Sequence, residues 1–149
     1  MYKECHKIPS NAFNAQGTVI AYETATPGSF TPIAEVRSFT GPGGTATVID
    51  ATTLSSTGKE KVLGLMDEGN ISLEMNFAPA DPGQVQLRSD RAAQTRRNYR
   101  ITFSDAAHTT ATFLAFVSQY TVSGGVDALS TLAVTLEITN AITWGTAPP

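Results

Sequence analysis

From residue 70 to residue 77 the chain reads Asn-Ile-Ser-Leu-Glu-Met-Asn-Phe, polar and apolar by strict turns. Successive side chains of a β-strand point to opposite faces, so Ile71, Leu73, Met75 and Phe77 enter a core while Ser72, Glu74 and Asn76 face water. Residues 131–139 repeat the pattern, burying Leu132, Val134, Leu136 and Ile138 and leaving Thr135, Glu137 and Thr139 on the other face. Tyr99, Ile101 and Phe103 mark one face of a further strand, with Arg100 and Thr102 opposite. Segments 19–24, 33–40, 46–50 and 112–122 complete about seven strands, rich in Val, Ile, Thr, Phe and Tyr and separated by Gly, Pro, Asn and Asp. The expected fold class is mainly β, a sandwich or barrel.

One flanking helix interrupts the alternation. Asp81 is placed to cap, Pro82 suits the first helical position, and Gln84 completes a capping-box spacing, so a helix is expected over 82–93. Its apolar stripe is thin, only Val85, Leu87 and Ala92, and predicts weak packing or a neighbouring subunit. Residues 1–16 show no period and read as an N-terminal arm, leaving 17–149 as the β-domain. Residues 51–70 read as a long loop holding Val62, Leu63, Leu65 and Met66 among Ser and Gly. Four apolar side chains are too many for a disordered segment, so they call for a partner to bury against. The Gly41-Pro42-Gly43-Gly44 cluster predicts a tight turn, with no Lys-Ser/Thr after it to make a phosphate loop.

Composition narrows the chemistry. The 149 residues carry ten Lys and Arg against thirteen Asp and Glu, a net charge of −3, so nothing global attracts nucleic acid or an anionic membrane. The local exception is Arg88, Arg91, Arg96, Arg97 and Arg100, interrupted by Asp90 and read as a solvated, partly paired face. The start of the chain predicts no secretory leader, and no apolar run approaches the roughly 20 residues of a membrane helix. Cys5 and His6 are adjacent on an extended arm and His108 falls in an expected hairpin turn, which predicts no metal or cofactor site. No Gly-x-Ser-x-Gly elbow is present, so no catalytic residues are expected. Glu74 and Glu137 could flank a sugar bond as glycosidase carboxylates, but read better as solvated acids. A carbohydrate- or surface-binding β-sandwich is the other class open, although Trp144 is the only tryptophan to offer a sugar platform.

A set of short motifs then recurs in order. Ile33-Ala34-Glu35-Val36 leads to Ser38-Phe39 and Gly41-Pro42-Gly43, then Ile49-Asp50 with Thr52-Thr53. Gly64-Leu65, Asp67-Glu68-Gly69, Ser72-Leu73-Glu74, Asn76-Phe77 and Asp81-Pro82 follow. Tyr99-Arg100-Ile101-Thr102-Phe103, Phe116-Val117, Val126-Asp127, Val134-Thr135-Leu136, Ile138-Thr139 and Thr143-Trp144 complete the series. In that order and spacing the chain resembles the major tail tube proteins of long-tailed, non-contractile, lambda-type phages, over nearly all of its length. The first sixteen residues carry none of this signal.

The resemblance implies a structural virion protein, not an enzyme. It implies rings of six subunits, each giving strands to an inner β-barrel, stacked through a long loop and terminal arms. The implied partners are further copies of the chain, a tape-measure protein, tail tip and terminator proteins, and double-stranded DNA in passage. The implied location is the virion tail, with assembly in the host cytoplasm. On this reading Val62, Leu63, Leu65 and Met66 gain the next ring as a partner. Ser72, Glu74, Asn76, Thr135, Glu137 and Thr139 are candidates to face the lumen, although alternation alone leaves the outer surface equally open to them. The arginine cluster is expected to pair with acids, some across a subunit boundary. A filter-binding assay should therefore show no tight DNA binding by the purified protein, and no steep fall in retention between low and physiological salt.

Overall fold

The computed structural model describes residue 10 and residues 12–147. Most of the arm expected over 1–16, including Cys5 and His6, lies outside the described residues. The elements are β1 (Val19–Glu23), β2 (Phe30–Pro32), β3 (Val36–Thr40), β4 (Thr45–Asp50), β5 (Lys61–Asp67), β6 (Asn70–Asn76), α1 (Pro82–Ala93), β7 (Arg97–Thr102), β8 (Thr109–Gly125) and β9 (Ala128–Thr146). Seven strands form one antiparallel sheet in the order β2-β1-β7-β8-β9-β6-β3, and β4 and β5 form a separate hairpin.

A short link shows how the sheet is shaped. β2 and β3 lie at opposite edges, yet only Ile33, Ala34 and Glu35 separate them. Four peptide steps span no more than roughly 14 Å, so the sheet must curl until its ends nearly meet. The curl is confirmed by a groove in which Thr18 and Ile20 face Val36 and Phe39, and by Phe39 lying 6.2 Å from the Phe103 ring.

The two longest strands make the bend. β7 pairs with β8 only as far as Ala115, and β6 pairs with β9 only as far as Glu137. The first part of β8 and the last part of β9 therefore belong to one layer with β7, β1 and β2. The rest of each belongs to a second layer with β6 and β3. Register shifts in the β8–β9 ladder, between Thr112 and Leu114 and between Val117 and Gln119, mark the change of layer. The inward faces are those expected from alternation: Ile71, Leu73, Met75, Leu132, Val134, Leu136 and Ile138 are buried, joined by Ile20, Tyr99, Ile101 and Phe113.

Several expectations are corrected. The stretch 51–70 is not one long loop, because residues 61–67 are strand β5, paired with β4. Val62-Leu63-Gly64-Leu65-Met66 is apolar on both faces, so alternation gave no signal. The strand expected over 33–40 is broken: Glu35 adopts φ 64°, Ile33 is buried, and pairing resumes at Val36. β2 was not foreseen, and the described residues form nine strands, in keeping with the mainly β fold expected. Gln84 does not complete a capping box. Asp81 accepts from the Gln84 amide at 3.0 Å, but the Gln84 side chain is buried and turns to Ala78 and Asn76, accepting from one backbone and donating to the other. Nor is the helix weakly held, since Leu87 enters the core and Asp90 is buried as well.

Asp90 joins three elements. Arg97 at the start of β7 donates to it from Nε at 2.6 Å and from a second guanidinium nitrogen at 2.8 Å. Gln86 donates at 2.7 Å and the Tyr99 hydroxyl at 3.3 Å. Arg97 also donates to the Glu23 backbone carbonyl, tying the end of β1 to the same point. Burial pushes the Tyr99 phenol far above its ordinary range, with the Asp90 charge adding to it, so that hydroxyl stays a donor. Removing one partner of a buried pair strands the other charge at a cost of about 3–5 kcal/mol. Arg97→Ala should thus lower the urea midpoint markedly, while the exposed Arg96→Ala stays within about 0.5 kcal/mol of the parent.

Candidate functional site

The surfaces on offer are faces, edges and a hairpin. The outward face of the β8-β9-β6-β3 layer is polar. Register sets Ser72 opposite Thr135, Asn70 opposite Glu137, Glu74 opposite Ala133 and Asn76 opposite Thr131. β3 adds Ser38 beside Glu74 and Thr40 beside Ser72. β8 adds Gln119 beside Thr135, Thr121 beside Ala133 and Ser123 beside Thr131. The alternation that keeps Leu, Val and Ile inside leaves small hydroxyl and amide side chains outside, over four neighbouring strands.

Of the residues expected on such a face, Ser72, Glu74, Asn76, Thr135 and Glu137 are brought together. Thr139 lies past the end of β6, opposite Leu114, in a depression shared with Met66, Asp67 and Glu68. Charge on the face is sparse. Ser118 and Asn70 reach toward Glu137 at 3.5 Å, and Ser38 toward Glu74 at 3.4 Å. Arg37, at the β3 bulge, lines a depression with Glu74, Ser123 and Thr131, which tempers the acidity there.

This layer also ends in two bare edges. Among the described residues, β8 beyond Ala115 has no strand on the side away from β9, and β3 has none on the side away from β6. The other layer is better protected. Its edge strand β2 has three residues and ends on Pro32, which cannot donate, and the end of β9 runs past the hairpin root at Met66, Asp67 and Glu68.

The third surface is the β4–β5 hairpin. Val62, Leu63, Leu65 and Met66 are all exposed, Leu65 to 94%. Val48 and Ile49 on β4 and Leu54 in the connecting loop are exposed too, and the sequence had not singled them out. A two-stranded ribbon is marginal by itself, and this one carries apolar groups on both faces. Its root is close-packed. A Cβ on Gly41 would meet the Asn70 carbonyl at 2.5 Å, and Gly69, at φ 71°, faces the backbone of Gly43. The expected turn at 41–44 is therefore the point where the ribbon leaves the body.

Of the arginines, Arg97 alone has an acidic partner among the described residues. Arg100 lies over the Phe30 ring at 4.2 Å. Arg91 and Arg96 line an open groove with Gln94, Phe116 and Ser118, and Arg88 is exposed on the helix. His108, at φ 47°, sits in the β7–β8 turn as expected. That turn is held by Asp105, which accepts from the Thr109 hydroxyl and amide, and these bonds keep its carboxyl below the usual range. Trp144 stacks on Phe103, which also meets Phe13 edge-on.

Comparison with known proteins gives these surfaces a context. Residues 11–112 match the family model described as phage tail tube, TTP, lambda-like. No curated protein matches the chain. Among solved structures, the fold is similar to that in the tail of an empty gene transfer agent particle refined with C6 symmetry. The TM-score is 0.74 at 17% identity, covering 91% of this chain and 100% of the other. A chain of the anti-feeding prophage baseplate gives 0.70 at 12% identity, with 93% and 98% covered. The SPP1 tail tube gives 0.66 at 10% identity, with 87% and 77% covered.

Proposed function

The chain belongs to the lambda-like phage tail tube family, a structural component of the virion tail, and from that premise we propose how its surfaces build the tube. Six copies close a ring by joining the β3 edge of one to the β8 edge of the next. The observation that carries this is the four-strand layer itself, polar on its outward face and bare at both edges. Every neighbouring pair in it is antiparallel, so β3 and β8 run in opposite directions. A rotation that lays one against the other continues the alternation without a fault, and such a head-to-tail contact closes when the rotation divides the circle. The C6 symmetry of the gene transfer agent tail supports six as the number.

On this reading Ser72, Glu74, Asn76, Thr135 and Glu137 line the lumen, and Thr139 lies at its rim. Hydroxyl and amide groups offer a wetted wall with few cations to hold phosphate. The tube would enclose a tape-measure protein during assembly in the host cytoplasm and pass double-stranded DNA afterwards, with terminator and tip proteins at its ends. Residues 1–16 serve as an arm on a tube domain of residues 17–149. Phe13 against Phe103, and the Ser104 hydroxyl donating to the Asn14 carbonyl, support an arm whose end is held to the body. Rings stack through the β4–β5 hairpin, whose Val62, Leu63, Leu65 and Met66 find cover on the next ring. Electron microscopy of the purified protein tests the whole: tubes or rings are expected, and monodisperse monomers at high concentration would refute it.

Two substitutions test the parts. Burying apolar surface contributes about 25 cal/mol per Å², repeated at every copy, so Leu63→Asp with Leu65→Asp should abolish tubes while circular dichroism stays that of the parent. Normal tubes from that variant would remove the hairpin from the ring-to-ring contact. Glu74→Lys with Glu137→Lys should give tubes of ordinary appearance but virions that eject their genome poorly, because each lysine becomes a ring of phosphate attraction. Ejection at the parental rate would place these residues away from the lumen.

A further inference from the structure

We infer that the groove between the end of α1 and β8 is a carboxylate receptor for the next copy, with Arg91 and Arg96 receiving Glu68. This rests on the edge-to-edge ring proposed above and names the contact that sets its register. The groove holds two guanidinium groups with no acid within salt-bridge distance among the described residues, beside Gln94, Ser118 and the half-exposed ring of Phe116. It lies where β8 loses its neighbour, since β7 stops at Arg97 opposite Ala115. The groove is thus the inner end of the free edge.

The matching end of the β3 edge is where the chain turns at Gly41 after Thr40. Across the layer, Phe116 pairs with Glu137, and Glu137 with Asn70. Glu68 precedes Asn70 by two residues, and its half-buried side chain reaches the link that follows β3, its Oε2 lying 3.1 Å from where a Cβ on Gly44 would stand. Both free edges therefore finish at one level of the layer, with two arginines at one end and an acid at the other. Laying the edges together end to end brings Glu68 of one copy to the groove of the next.

Glu68 is available for this. No hydrogen bond or ion pair within the described residues engages its carboxylate, whereas the neighbouring Asp67 is occupied by the Gly69 amide at 2.9 Å. Arginine offers a planar fork that takes a carboxylate through two bonds, and the partly apolar floor at Phe116 limits competition from water. Strand pairing alone would tolerate a slip of two residues, since that keeps every side chain on its own face. A charge contact at one end of the edge removes that freedom.

The test is a charge exchange read by polymerisation, with circular dichroism to establish folding. Arg91→Glu with Arg96→Glu should raise the concentration needed for tubes at least about tenfold, because like charges then meet at every joint. Glu68→Arg should do the same. Combining all three substitutions should restore tubes near the parental concentration. Parental tubes with unimpaired assembly by either reversed variant would overturn the pairing and leave the ring intact. Failure of the combined variant, with both reversed variants defective and folded, would overturn Glu68 as the acid. Parental protein that forms neither rings nor tubes would overturn the ring itself and this contact with it.

Discussion

A strand edge is a row of backbone donors and acceptors, and burying such a row without partners costs more than most side-chain contacts return. This subunit carries that obligation where β8 continues past Ala115 with no strand paired to that side among the described residues. The edge is not an accident of chain length. β7 begins at Arg97, which is held by Asp90, a buried residue of α1, and by the carbonyl of Glu23. The ion pair thus sits where β7 stops covering β8. Glu23 is in turn fixed by the Gly28 amide and the Asn98 side chain, bonds that hold its carboxyl below the usual range.

From that edge the rest of the architecture follows. The long β8–β9 hairpin shares its two ends between layers, so a disturbance of one layer is felt in the other through continuous backbone. The bends fall at register shifts, where an extra residue turns the strand without breaking it. The apolar hairpin leaves the body at glycines whose neighbours sit too close for any side chain. The free edges and the exposed hairpin of this protein are therefore placed by the backbone, and side chains refine them.

The amino-acid pattern disclosed the faces well and the neighbours poorly. β6 and β9 were legible because one side of each is buried and the other wet, and the start of α1 was legible from Asp81 and Pro82. β5 was hidden because both of its faces are apolar, a pattern with no period. The break at Glu35 was hidden because a glutamate with positive φ has no signature in composition. Asp90 looked like an interruption in a basic cluster, and only its burial reveals it as the acid that holds Arg97. Ser72, Glu74, Asn76, Thr135 and Glu137 were each readable as outward-facing. That they adjoin depends on β6 lying beside β9, a pairing between segments some sixty residues apart that no local signal encodes.

The irregularities along the free edges bear on the life of the subunit before it is used. A newly made copy shows at once an unpaired strand and an apolar ribbon, the combination from which cross-β aggregates grow. Such growth needs flat edges that repeat, so that like can template like. β8 shifts register against β9 between Val117 and Gln119 and again between Ser123 and Gly125, and β3 shifts against β6 between Val36 and Ser38. An edge kinked in this way is a poor template for a second β8 and a poor bed for a stray strand. It discriminates by shape before any side chain is consulted, so an unpaired copy offers little purchase to misdirected strand addition.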